Sequence, residues 1–289
     1  EEWTRSELAL TVIAIALSWP ALFTFGAGQA NFVVLLLLAA AFFSLRERRE
    51  VAAGLLLAAA VAIKLTPALL LAYLAWRRRW VALASAAAAL GALVVAGAAA
   101  AGAGSYTIYL REMIPLLSRG CDHWINESLG AFFGRLSGNG GIFSWAIGDS
   151  SLLSRALAGG AGLALVAGAF VVMGRDQRTA SSELEFALLV VTTLLVSPLS
   201  WTHHSVLSLI GLLAAARWLI AGSRVTHVTA GLLAASFMLI HIHVKPPGLF
   251  EHGPLRVLAS YNLAGNLLLW GVLASMIRTS RRGEGMNTA

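Results

Sequence analysis

Between residues 7 and 277 the chain is a succession of apolar runs parted by short clusters of arginine. Several runs approach the ~20 residues that an α-helix needs to cross bilayer hydrocarbon. A sequence built this way has few folds open to it. Hydrocarbon offers the backbone no water, so a spanning segment must close its own hydrogen bonds, and a helix does so within one segment. Composition agrees, since 58% hydrophobic and 12% charged residues over 289 positions, with mean hydropathy +0.77, exclude an ordinary soluble domain. The expected fold is all-α, a polytopic transmembrane helical bundle forming a single integral-membrane domain over residues 1–277. A basic cytoplasmic tail, 278–289, is expected to be disordered.

The formal net charge of +7 does not point to nucleic acid, because the arginines sit between apolar runs without aromatic interleaving. They bear on orientation instead. Cys121 is the one cysteine, which rules out an internal disulfide and an all-cysteine metal site. The sequence opens at Glu1 with no initiator Met and no signal-peptide pattern, so its natural start is expected upstream.

The run 51–76 carries the topology. It is interrupted by Lys64-Leu65-Thr66-Pro67 and lies between Arg46, Arg48 and Arg49 on one side and Arg77, Arg78 and Arg79 on the other. A single crossing would put one cluster in each compartment, against the positive-inside bias. Residues 51–63 make only about 20 Å of helix at 1.5 Å per residue, short of a ~30 Å core, and Pro67 disfavours helical Thr66. A re-entrant hairpin is expected. The clusters at 46–49, 77–79, 175–178, 217–224 and 278–282 then fall together with Arg5, leaving Arg111, Arg119, Arg135, Arg155 and Arg256 outside. Gln29 and Asn31, the extracytoplasmic loop region 102–150, residues 197–204 and the turn 241–254 all open outward. Lys64 reaches toward them.

The residue types at that end favour anion and sugar chemistry. Lysine in an apolar run costs roughly 2.5 to 3.5 kcal/mol unless it finds a partner; a phosphate would serve, and so would snorkelling to the interface. Ser197-Pro198-Leu199-Ser200-Trp201-Thr202-His203-His204 is a polar, proline-broken interruption between apolar runs. It reads either as the lining of a site or as a helix ending at the interface. Its imidazoles can carry a proton or donate to a phosphate oxygen. Asn126-Glu127-Ser128 beside Trp124 suits a polyhydroxylated ligand, a helix N-cap or a bare glycosylation tripeptide. His241, His243 and His252 lack the cysteine or carboxylate that would fix a zinc geometry, so no metal site is assigned.

In order, Gly28-Gln29-x-Asn31, the hairpin from Ala53-Gly54 through Ile63-Lys64-x-x-Pro67 to Arg77 and Trp80, Asn126-x-Ser128-Leu129, and Ser197-Pro198-x-Ser200-Trp201-x-His203-His204 resemble glycosyltransferase family 87. The resemblance covers about residues 18–219. It implies a GT-C type bundle with broken or re-entrant helices in the plasma membrane, active site on the extracytoplasmic side. The implied reaction moves a sugar, commonly mannose, from a polyprenyl-phosphate-sugar donor to a glycolipid or glycan acceptor with inversion, needing no cofactor or metal beyond that lipid-linked co-substrate. On residue chemistry, His203 and His204 are expected to be catalytic, Lys64 with His203 to hold the donor phosphate, and Gln29, Asn31, Asn126, Ser128 and Trp201 to bind and orient substrate. The general base would be an Asp on a loop preceding Glu1, so the chain as given is expected to lack it and to be inert if nothing replaces it. Glu127 stands where the resemblance leads one to expect glutamine. The competing class is a transporter or lipid flippase, which intramembrane Lys64 and broken helices fit equally well.

Overall fold

The computed structural model describes residues 5–137, 142–143, 145, 151–175, 182–220, 227–245, 248–251 and 253–286. It is 83% helical, with no strand among the described residues. The chain enters through α1 (Arg5–Ala16) and α2 (Trp19–Gly26), the second capped by Ser18, whose Oγ accepts from the Ala21 amide at 3.3 Å. Next come α3 (Asn31–Arg46), α4 (Glu50–Ile63), a 3₁₀ turn at Thr66–Ala68, α5 (Leu69–Trp76) and α6 (Trp80–Ala101).

Here the hairpin is visible. The Arg79 guanidinium, just past α5, pairs with Glu50 at the start of α4 and reaches the Leu45 carbonyl at 3.5 Å. The arm therefore begins and ends at one face of the bundle, with Lys64 at its turning point. It packs by close approach of backbones: a Cβ on Gly54 would lie 2.2 Å from the Ala82 carbonyl oxygen of α6, the small-residue contact that holds helices together in lipid.

The described residues between 102 and 145 are largely helical. They hold α7 (Ala103–Ile108), a π-turn at Tyr109–Met113, α8 (Ile114–Ser118) and α9 (Leu129–Ser137); residues 138–141, 144 and 146–150 lie outside those described. The chain then runs through α10 (Leu152–Met173), α11 (Ser182–Val196), a 3₁₀ segment Thr202–Leu207, α12 (Ser208–Ile220), α13 (His227–His241) and α14 (Tyr261–Met286). Trp80–Ala101, Leu152–Met173, Thr202–Ile220 and Leu255–Arg281 are long and apolar enough to cross a membrane. The core is α11, buried at every position from 184 to 195, as a helix apolar on all sides must be.

The two faces differ in charge. At one, Arg48, Arg77, Arg78, Arg79 and Arg175 line a cavity of about 920 Å³. Arg281 arrives there from α14 and donates to the Val172 carbonyl at 3.1 Å. α14 itself continues as helix through Met286. Residues 287–289 lie outside the described residues.

Candidate functional site

At the opposite face the break between α11 and α12 is stitched to the loop ahead of α9. Asn126 and Trp201 form an isolated antiparallel bridge. The Glu127 amide donates to the Ser200 carbonyl at 2.6 Å and the Thr202 amide to the Ile125 carbonyl at 3.0 Å. Pro198 ends the helix, and the backbone groups it frees are satisfied by protein rather than by water, as depth in a bilayer demands.

Asn126 and Ser128, expected on substrate, are spent on this junction. Asn126 is fully buried; its Oδ1 accepts from the amides of Ser200 (3.0 Å) and Ser128 (3.3 Å), and its Nδ2 donates to the Cys121 carbonyl at 2.7 Å. Ser128 Oγ caps α9 by accepting from the Ala131 amide at 3.1 Å. Both residues place the loop, with one Asn126 amide N–H and the Ser128 O–H left over from these bonds. Arg135, 1% exposed, completes the clamp, donating to the carbonyls of His123 and Asn126 at 3.0 Å and to Ser260 Oγ at 2.7 Å.

Of the remaining expected residues, Asn31 reaches the His203 backbone. Its carbonyl accepts from Thr24 Oγ1 at 2.9 Å and from Asn31 Nδ2 at 3.0 Å, which ties the α2–α3 corner to the break. The His203 and His204 rings meet edge to face at 4.6 Å, and the Lys64 charge bears on both. Three polar atoms here are buried without a partner: Lys64 Nζ, His203 Nδ1 and Asn31 Oδ1. Buried polar groups are almost always paired, and these orphans offer a cation, an imidazole nitrogen and an amide acceptor, groups able to meet an anion and a hydroxyl. Gln29 is exposed on the α2–α3 turn and makes no side-chain contact with this cluster.

Sequence reasoning missed the aromatic layer over the cluster. Phe23 meets His203 edge-on at 5.2 Å, Trp19 stacks on His243 at 3.9 Å, Trp145 stacks on His123 at 3.9 Å, and Trp201 lies 5.6 Å from Trp145. These rings are far apart in sequence, and the available signal was the gathering of Trp and His at run ends. Trp201 thus belongs to a platform suited to the apolar face of a sugar. His241 is turned elsewhere, its Nδ1 3.0 Å from the Phe237 carbonyl and its ring stacked on Phe237; His252 lies outside the described residues.

Glu127 repays inspection. Its side chain is 2% exposed, Oε1 accepts from Thr202 Oγ1 at 3.2 Å, and Oε2 has no partner. Burial pushes its carboxyl up to about 8, against the downward pull of Arg135 and of the Thr202 hydroxyl. That upward push favours the neutral acid, which matches in shape and polarity the glutamine expected there. Because the folded value is raised, the folded state holds a proton that the unfolded chain releases above its ordinary value of about 4.5. Stability conferred by that proton is complete below 4.5 and declines as pH rises to about 8, by ~1.4 kcal/mol per pH unit. Glu127→Gln should remove this slope from thermal melts between pH 5 and 8 and leave activity near wild type at pH 7; an unchanged slope would show that the carboxyl is ionised.

Searches of curated proteins and of solved structures return no match. The model of glycosyltransferase family 87 matches residues 1–198. That stretch takes in Gln29, Asn31, the Lys64 hairpin and the clamp loop, and it stops at Pro198, before His203 and His204. With the match extending over more than half its length, and with apolar helices able to cross a bilayer, the chain belongs to glycosyltransferase family 87 and is a membrane glycosyltransferase.

Proposed function

We propose that the chain transfers a sugar, mannose by resemblance, from a polyprenyl-phosphate carrier to a glycolipid or glycan hydroxyl on the outer face of the plasma membrane. The observation that carries this reading is the orphaned Lys64 ammonium beside His203 and His204 at the end of the bundle opposite the arginine-lined cavity. Arginine-rich ends face the cytoplasm, so the cluster faces out, where lipid-linked sugars serve as donors. The bond between the sugar's anomeric carbon and the carrier phosphate breaks, and the acceptor oxygen takes its place. Lys64 and the imidazoles neutralise the departing phosphate, the aromatic layer holds the sugar, and a base removes the acceptor's proton. These cationic and donor groups serve the leaving group without a divalent metal.

Membranes containing the full-length protein, given polyprenyl-phosphate-mannose with a tritiated sugar, should move label into a new lipid or glycan. Nucleotide-linked mannose should leave it unmoved in membranes stripped of carrier lipid. Transfer from the nucleotide sugar under those conditions would overturn the reading.

A further inference from the structure

Residues 103–118 form one continuous helical strap, with α7, the π-turn and α8 in succession. Its starting level is fixed by α6. That helix begins at Trp80, beside the arginine face, and its 22 residues rise about 33 Å, enough to cross a ~30 Å hydrocarbon core. Ala101 therefore lies at the boundary on the far side, the side of the break. Gly102 then turns the chain with φ +81°, a backbone conformation that favours glycine.

The strap folds back instead of standing off into water. Tyr106 lays its hydroxyl against Gly97 of α6, where an added Cβ would lie 2.3 Å from the oxygen. Gly97 is one turn short of Ala101, about 6 Å down the helix axis. At the other end Gly120, with φ +72°, sits against the break, where an added Cβ would come within 3.5 Å of the Pro198 carbonyl. The strap, about 24 Å long at 1.5 Å per residue, thus runs from the end of one spanning helix to the candidate site.

Its two sides differ. Tyr106, Leu110, Met113 and Leu117 recur at the four-three-four spacing of one helix face, with Tyr109 and Leu116 flanking them. Thr107, Arg111 and Ser118 hold the other side, with Ile108 the apolar exception among them. Leu110 is 59% exposed and Met113 40%, and among the described elements the strap packs substantially against α6 alone.

We infer that residues 103–118 are an in-plane membrane-binding helix whose partner is the lipid interface, with Leu110 and Met113 among acyl chains and Thr107 and Arg111 in the headgroup layer. Lipid fits this face better than a protein partner on three counts. The strap starts where a spanning helix ends. Its Tyr106 anchor sits about 6 Å down that helix, within the ~5–10 Å depth at which amphipathic helices settle, and tyrosine favours that level. The α6 surface it joins is itself open to lipid, only 11% of its spanning stretch being buried. Because the strap leads through Gly120 to Cys121, whose carbonyl accepts from Asn126, it sets the depth of the loop that holds the break. The inference rests on α6 crossing the membrane and not on the proposed reaction.

Collision accessibility of single nitroxide labels tests it without any sugar transfer. In lipid nanodiscs, labels at Leu110→Cys and Met113→Cys should show a ratio of oxygen to aqueous nickel-complex collisions at least about threefold above labels at Thr107→Cys and Arg111→Cys. Cys121 is buried, and the unsubstituted chain measures whatever label it takes up, while circular dichroism checks the helical content of each variant. Leu110→Glu with Met113→Glu should lower the ratio at a Tyr109→Cys label by a similar factor. Equal, water-like ratios at the four positions would overturn the inference by leaving the strap in solution. Exclusion of both reagents at Leu110 and Met113 would overturn it in favour of a protein covering the face.

Discussion

Lys64→Met should lower kcat/KM for transfer about 100-fold while leaving the fold as stable as before or more so. The two halves of this result have one cause. Lys64 Nζ is buried without a partner at the turning point of the hairpin, so in the empty protein the ammonium costs desolvation and gains no bond. Methionine keeps the length of the stem and removes that cost. When phosphate departs with its charge developing, the same ammonium becomes a donor in a place with little water, where removing one such donor typically costs roughly 2.7 to 4 kcal/mol of barrier. Lys64→Arg should recover part of the rate, since charge is kept and geometry is not. Steady-state transfer and thermal melts on the same preparations read both halves, and a Lys64→Met enzyme turning over like wild type would remove Lys64 from the donor phosphate.

The bundle was legible in the sequence because lipid imposes its constraint locally. Each apolar run carries its own requirement for helix, and each arginine cluster its own preference of side, so the Arg79–Glu50 pair closing the hairpin meets an expectation from charge counting. Pro198 and the polar residues after it marked the break just as plainly. What satisfies the break was hidden, since the bridge between Asn126 and Trp201 joins segments distant in sequence and leaves no periodicity to read. Asn126 and Ser128 illustrate the limit. Their chemistry suits a sugar, and only the fold reveals that they also hold a backbone amide at Ser200 and a helix end.

Glu185 was hidden in the same way, as one carboxylate at the head of an apolar run, and it supports the second large effect. Arg77→Met should destabilise the protein by about 3 to 5 kcal/mol. Glu185 is fully buried on α11, and Arg77 holds it with two bonds, Nε to Oε2 at 2.9 Å and Nη2 to Oε1, while Nη2 also donates to the Met173 carbonyl at 3.0 Å. One guanidinium thus joins the inner end of the hairpin to the central helix and to the end of α10. Removing it takes both bonds from a carboxylate that has no exposed surface, with Arg281 the other cation bearing on it. The attraction within such a pair roughly offsets the desolvation of its members, so the penalty belongs to the charge left behind. Arg77→Met with Glu185→Leu should therefore regain most of the lost stability, although it lacks the same arginine. Denaturant unfolding in detergent micelles distinguishes these cases: a double variant as unstable as Arg77→Met would mean that Arg77 stabilises the bundle through the Met173 carbonyl and its packing, and not by neutralising Glu185.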